Sequence, residues 1–223
     1  MKLLALDTST EACSVALALD GTVIERTELE RRHGERLLAM VQEVLDEADV
    51  ALTQLDAIAF GRGPGSFTSL RIGAGVVQGL AFGADLPVVP VSSLAALAQG
   101  VEAPKVLAAF DARMQQVYGG AYVRGEDGLV VLQGAERVVD PAQLPLPPGE
   151  NWFGVGSGWD VYHATLSARL GGIVSGWNSG RRPRARDVAR LGLAAFAAGA
   201  AVAPEQALPV YIRDDVAIKQ KND

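Results

Sequence analysis

The chain opens with short apolar runs at strand spacing. Lys2 to Leu6 reads as one strand and Ser14 to Leu19 as a second, Asp20-Gly21 supplies a hairpin turn, and Val23 to Glu28 reads as a third. The period then changes. Between Gly34 and Ala48 the residues Leu37, Leu38, Val41, Val44, Leu45 and Ala48 fall on one helical stripe, while Glu35, Arg36, Glu43 and Asp46 largely face elsewhere. Ala57 to Phe60 is a short buried strand. A glycine-rich loop follows, then a helix from about Thr68 to Phe82, a strand at Val88 to Val91 and a helix opened by Ser92 or Ser93.

A second pass begins at Lys105. Val106 to Phe110 is apolar and ends in Asp111, as the first strand ends in Asp7, and Gln116 to Val123 and Leu129 to Gln133 form strands around an Glu126-Asp127-Gly128 turn. Asp140 to Glu150 is a proline-rich loop, Trp152 to Val155 a strand, Asp160 to Leu170 a helix, and Arg186 to Ala201 a final long helix. The order of elements repeats, although the residues themselves do not. The pattern predicts an α/β fold of two similar β-β-β-α-β-α halves, residues 1–103 and 104–223, the second degenerate. That is the duplicated actin- and hexokinase-like architecture, the actin-like ATPase (ASKHA, ribonuclease H-like) superfold.

The helix after the glycine loop is apolar nearly all round. Leu70, Ala74, Val77 and Ala81 lie on one side, and Ile72, Val76, Leu80 and Phe82 spread over the rest. It also carries Gly75 and Gly79, with Gly83 next, each costing about 1 kcal/mol relative to alanine inside a helix. Bare backbone of this kind implies close approach of another element. That element is either internal or part of another protein.

Several segments have the residue types of chemical sites. Asp7-Thr8-Ser9-Thr10 sits at the turn after the first strand, where hydroxyls and amides can cradle phosphate and a carboxylate can hold hydrated magnesium; a hydroxyl-rich turn that satisfies its own backbone is the alternative. The matching turn, Asp111-Ala-Arg-Met-Gln-Gln116, has no glycine and carries bulky Arg113, which argues against a paired clamp on a triphosphate. Gly61-Arg-Gly-Pro-Gly-Ser-Phe-Thr68 lacks the GK[ST] of a P-loop and reads as a tight turn, with anion binding at the next helix left open. Gly154-Val-Gly-Ser-Gly158 either lies under an adenine or is a plain strand-to-helix turn. His33-Gly34-Glu35 is no zinc motif, because Leu37 stands where a second histidine is needed.

Composition narrows these options. The 223 residues are 49% hydrophobic and 21% charged, enough for a sizeable core, and no stretch reaches the roughly 18 uninterrupted apolar residues of a membrane helix. A soluble cytoplasmic protein without membrane association is expected. Cys13 is the one cysteine, so no internal disulfide forms. A net charge of -6 disfavours a solitary RNA-binding role, and Arg181-Arg182-Pro183-Arg184-Ala185-Arg186 is the dense basic run set against it, either touching RNA or forming a solvated loop.

Five segments in order resemble the TsaB family: Leu4-Ala-Leu-Asp-Thr-Ser-Thr10 with Cys13-Ser-Val-Ala16; Gly61 to Thr68 with Leu70-Arg-Ile-Gly73; Asp111-Ala-Arg-Met114; Pro209-Val-Tyr-Ile-Arg213; and Val216-Ala217. Ser69 departs from an expected glycine. The resemblance implies a non-catalytic subunit that binds and activates a catalytic paralogue, TsaD, and helps recruit the ATPase TsaE. Their joint product is threonylcarbamoyl on N6 of the adenosine next to the anticodon, in tRNAs reading codons that start with A. It implies contact with tRNA only through the complex and a partner interface on the two helices of the first half, at Ile72, Gly75, Val76, Gly79, Phe82, His33 and Met40; an exposed apolar helix pair in turn makes a homodimer the expectation when the chain is alone. No catalytic residue or metal ligand is carried over, since the paralogue's His-x-x-x-His is His33 and Leu37 here. No tightly bound cofactor is expected; ATP or ADP would bind weakly at Asp7, Thr8, Ser9 and Thr10 or at the interface with the paralogue. An autonomous kinase or ATPase of the same fold, and a metallopeptidase, are the competing readings.

Overall fold

The computed structural model describes residues 1–29 and 33–213, His33 by its backbone alone. The first half contains β1 (Lys2–Asp7), β2 (Cys13–Leu19), β3 (Thr22–Glu28), α1 (His33–Glu47), β4 (Ala57–Gly61), α2 (Phe67–Ala84), β5 (Val88–Val91) and α3 (Ser93–Gln99). The second contains β6 (Lys105–Asp111), β7 (Val117–Arg124), β8 (Val130–Val139), β9 (Trp152–Val155), α4 (Ser157–Leu170), β10 (Val174–Asn178) and α5 (Ala185–Ala197). The two five-stranded sheets have orders β3-β2-β1-β4-β5 and β10-β9-β6-β7-β8. Read from the opposite edge, the second sheet repeats the first. In each, an antiparallel three-strand meander is extended by two parallel strands that need crossover helices.

Local sequence explains most of the elements. Asp20 and Gly21 both take positive φ, 45° and 93°, which suits a two-residue turn whose twist matches the β2–β3 strands. β1 is buried on both faces, and Leu4 lies opposite Leu17 on β2 and beside Ile58 on β4. The Ser92 side chain caps α3 by accepting from Ala95 N at 3.2 Å.

Helices and sheets stack in five layers. α1 and α2 cover one face of the first sheet over Leu4, Leu6, Val15, Leu17, Ile58 and Phe60. α5 covers the other face over Leu3, Ala5, Ala16 and Ala59, with α3 alongside it. α3 in turn packs on the second sheet at Val106, Ala108 and Phe110, and α4 closes the far side around Trp152 and Trp159. Gly192 of α5 approaches so closely that a Cβ would lie 2.7 Å from Ala59 Cβ. An element from the second half of the sequence therefore completes the core of the first.

Two expectations need correction, and the degeneracy of the second half becomes more specific. β10 was not anticipated: Val-Ser-Gly-Trp-Asn lacks a strand pattern, and it pairs with β9 only at the sheet edge and with a register shift. The second half is thus degenerate in its helices rather than in its sheet, because the proline-rich segment with a short 3-10 turn at Pro141–Gln143 stands where α1 stands in the first half. Leu38, placed on the buried stripe of α1, is 54% exposed, while Met40 is fully buried among the core residues.

Candidate functional site

One face of α2 is left open. Leu70, Gly73, Ala74, Val77 and Ala81 are buried against the sheet, and Val76 and Leu80 pack at the edge of the same core. Gly75, Gly79 and Gly83 are exposed, and a Cβ built on any of them would meet nothing within 4 Å. Among the described residues no element exploits these glycines. Ile72 is half-buried beside them, Phe82 is 61% exposed at the end of the same stretch, and α1, which packs against α2, adds the exposed Leu38. Of the predicted interface residues, Ile72, Gly75, Val76, Gly79 and Phe82 sit on or beside this surface. Met40 does not, since the helical phase that buries Leu37, Val41 and Val44 buries it too; the His33 side chain lies outside the described residues.

The Asp7 turn is closed. The side chains of Asp7, Thr8 and Ser9 are buried, and Thr10 is half-buried at the rim. Asp7 Oδ1 accepts from Ser9 N at 3.0 Å and from Ser9 Oγ at 2.7 Å, and its Oδ2 accepts from Ser93 Oγ at 3.1 Å. Thr8 Oγ1 donates to Ser69 O at 2.8 Å, and Thr10 Oγ accepts from Ala12 N at 3.2 Å. Burial raises the Asp7 carboxyl to about 6, with the three hydrogen bonds to Ser9 and Ser93 opposing the shift. The glycine loop seals the turn. A Cβ on Gly61 would fall 1.9 Å from Asp7 Oδ2, one on Gly65 2.3 Å from Ser9 O, and one on Gly73 2.3 Å from Thr8 Oγ1. A phosphate cradle needs open donors and an outward carboxylate. The side chains of Asp7, Thr8 and Ser9 instead make their bonds inside the protein.

The other candidate segments are also internally occupied. Gly154 lies under the Trp159 ring, which would be 2.4 Å from a Cβ, and Trp159 Nε1 donates to Leu107 O at 2.9 Å. The Asp111 turn holds three consecutive non-glycine residues, Arg113, Met114 and Gln115, in the left-handed region at φ 61°, 52° and 58°. Asp111 Oδ1 accepts from Arg113 N at 2.9 Å, Asp111 Oδ2 pairs with the Arg113 guanidinium at 3.0 Å, and Arg213 donates to Ala112 O at 3.2 Å and Gln116 Oε1 at 2.6 Å. Cys13 is buried, and burial, with Glu28 adding to it, pushes its thiol up to about 12, so it is no nucleophile. Among the described residues no three His, Cys, Asp or Glu side chains gather as a metal site, and no helix is long and apolar enough to cross a membrane.

Two features escaped sequence reasoning. Phe67, Arg71 and Tyr211 form an exposed cluster beside the open face: the Arg71 guanidinium lies 4.0 Å from the Phe67 ring centroid, Arg71 Nε donates to Tyr211 Oη at 3.2 Å, and the two rings are 5.2 Å apart. Glu136 on β8 accepts from both Ser92 Oγ and Tyr122 Oη, tying the cap of α3 to the second sheet. The contacts of Tyr211 and of Glu136 had no signal in local spacing, since they join residues 14 or more positions apart. The segments that carried the family resemblance also gather in space: Val210 N donates to Arg62 O at 2.8 Å, Tyr211 reaches Phe67 and Arg71, and Arg213 reaches the Asp111 turn. Val216-Ala217 lies outside the described residues.

Comparison with known proteins agrees with this arrangement. The family model described as TsaD, tRNA N6-adenosine threonylcarbamoyltransferase, matches residues 24–216. The tRNA threonylcarbamoyladenosine biosynthesis protein TsaB of Escherichia coli is 44% identical over 99% of this chain and 98% of its own, and that of Haemophilus influenzae 41% identical over 99% and 97%. The solved structure of YeaZ from Pseudomonas aeruginosa superimposes with a TM-score of 0.88 at 48% identity, covering 94% of this chain and 99% of that one. With its duplicated sheets, its motif segments converging at one end and similarity along nearly its whole length, the chain belongs to the TsaB family of tRNA threonylcarbamoyladenosine biosynthesis proteins.

Proposed function

We propose that the chain is a non-catalytic subunit of the cytoplasmic assembly that forms N6-threonylcarbamoyladenosine next to the anticodon, binding and activating the catalytic paralogue TsaD through the α1–α2 face and helping to recruit TsaE. The observation that carries this reading is the stretch of bare backbone at Gly75 and Gly79, exposed and touched by none of the described residues. Glycines inside an exposed helix reduce its stability, and close contact with a partner helix offsets that loss. The closed Asp7 turn supports a supporting rather than a chemical role, because its carboxylate has no open side. In the absence of the paralogue the same face pairs two copies of this chain, a self-complementary contact about a two-fold axis. Any ATP or ADP engaged by the chain is held weakly at the interface with the paralogue.

The test is in vitro formation of threonylcarbamoyladenosine on a cognate tRNA with TsaD, TsaE, a source of the threonylcarbamoyl adenylate and ATP, with and without this chain. Modification sustained over many turnovers only in its presence supports the subunit role. Equal modification without it overturns that role, and ATP hydrolysis by the purified chain alone would favour the kinase reading instead.

A further inference from the structure

Away from the α1–α2 face, the cleft bounded by the end of α3, the β7–β8 turn and the start of α5 has a volume of about 650 Å³. Six arginines line it: Arg124, Arg181, Arg182, Arg184, Arg186 and Arg190, against the carboxylates of Glu102 and Asp187. This concentration stands out on a chain of net charge -6. Three of the six are engaged by acids. Arg182 pairs with Glu11 and, at 3.6 Å, with Asp160, while Glu25 takes both Arg184 and, at 3.6 Å, Arg186.

The other three have no ion pair among the described residues. Arg190 is exposed, with its guanidinium against the β7–β8 turn at Gly128, where a Cβ would lie 2.6 Å from its terminal nitrogen. Arg181 is also exposed. Arg124 is half-buried and held by backbone carbonyls: Nη1 donates to Gly128 O at 2.6 Å and Nη2 to Val101 O at 2.5 Å, with longer contacts to Gln99 O and Ala98 O at 3.3 and 3.4 Å. Its Nε is buried without any hydrogen-bond partner. Burial and, after it, the neighbouring Arg190 charge lower its proton affinity, with the Asp187 and Glu102 carboxylates opposing the shift.

We infer that this cleft binds a ligand carrying several phosphate groups, with Arg181 and Arg190 contacting the anion and Arg124 as the fixed charge behind them. Guanidinium forks match phosphate oxygens in pairs, and a phosphate monoester or two neighbouring phosphodiesters bring more charge into one cleft than a single side-chain carboxylate does. The inference does not depend on the assembly role proposed above. Its phosphates belong either to an RNA strand or to a free polyphosphate.

The experiment titrates the full chain with two probes at about 50 mM salt, inorganic tripolyphosphate and a fluorescent oligouridylate, and compares Arg190→Glu with Arg137→Glu, an equal charge change on an exposed residue outside the cleft. Saturable binding weakened at least about tenfold by R190E and within about twofold of wild type in R137E is the expected result. Binding of oligouridylate alone identifies an RNA strand as the source, and binding of tripolyphosphate identifies a free polyphosphate. Absence of saturable binding by both probes, or equal weakening by R190E and R137E, overturns the inference. Circular dichroism of R190E separates lost binding from lost fold.

Discussion

Ser93 Oγ donates to Asp7 Oδ2 at 3.1 Å, joining the first residue of α3 to the last residue of β1 across 86 positions of sequence. The same hydroxyl accepts from Gly63 N at 3.2 Å, so one buried oxygen links strand, glycine loop and helix.

Asp7 gives the protein a pH-dependent stability. Its carboxyl rises from 3.8 to about 6 on folding, so the folded state holds the proton more tightly than the unfolded chain does. The resulting stabilisation is complete below the unfolded value of 3.8 and is lost as pH rises through about 6, a difference of about 3 kcal/mol. Asp187, also raised to about 6 chiefly by burial, adds to the same trend. Urea unfolding at a series of pH values should show stability falling between pH 4 and 7 in wild type, and a shallower fall in Asp7→Asn; equal slopes would mean that Asp7 is not buried as described.

Two kinds of glycine should respond oppositely to alanine. Gly79→Ala places a methyl group in open space on a helix and should raise thermal stability by up to about 1 kcal/mol. Gly61→Ala drives a methyl group into the Asp7 carboxylate and should cost at least about 2 kcal/mol. For the assembly the order reverses: Gly79→Arg should keep the fold and lose TsaD binding by size-exclusion chromatography. If Gly79→Arg is insoluble, the face is not a free surface.

The Glu136 link should be measurable as a hydroxyl deletion. Tyr122 is almost wholly buried, and burial followed by Glu136 pushes its phenol well above the ordinary range, so it stays protonated and donates at every accessible pH. Tyr122→Phe removes that donor with little change in shape and should cost about 1 to 2 kcal/mol in denaturant unfolding. Glu136→Ala should cost more, because it strips the acceptor from both Ser92 and Tyr122. An unaltered midpoint in both variants would sink this account.

The left-handed turn at Arg113–Gln115 is costly as built. Non-glycine residues pay about 1 kcal/mol or more each in this region, and Met114, 73% exposed, gives up little beyond the Arg213 contact to its sulfur at 3.1 Å. Met114→Gly should therefore raise the unfolding midpoint, whereas Arg213→Ala, which removes bonds to Ala112 O and Gln116 Oε1, should increase amide exchange at residues 112–116.

How much of this was legible in the sequence depended on the range of the interaction. The first-half elements follow from local spacing, because Leu4, Leu17, Val44 and Ile58 repeat at strand and helix periods and pack near their neighbours in sequence. The oddity of α2 was likewise readable, since Gly75 and Gly79 asked for the close approach of another element, internal or from another protein; only the structure shows both glycines exposed. The fate of the Asp7 turn was not: residue types suggested phosphate, and only the approach of Gly61 and Ser93 turns the carboxylate inward. Leu38 and Met40 exchanged roles because an apolar stripe fixes a helix face only to within about one residue. The arginine run was visible, but its alignment with Arg124 was set by tertiary folding.

α5 and the strand-like segment after it bear on how the molecule is made. Gly192 seats against Ala59, Val202 exchanges backbone hydrogen bonds with Val88 at 2.8 and 2.9 Å, and Val210 N reaches Arg62 O. During synthesis the first sheet emerges early yet waits, with one face uncovered, for residues 185–210 to leave the ribosome. The first half therefore cannot mature ahead of the second, and a ribosome stalled after β10 would display an unfinished apolar sheet to chaperones and proteases rather than a stable half-protein.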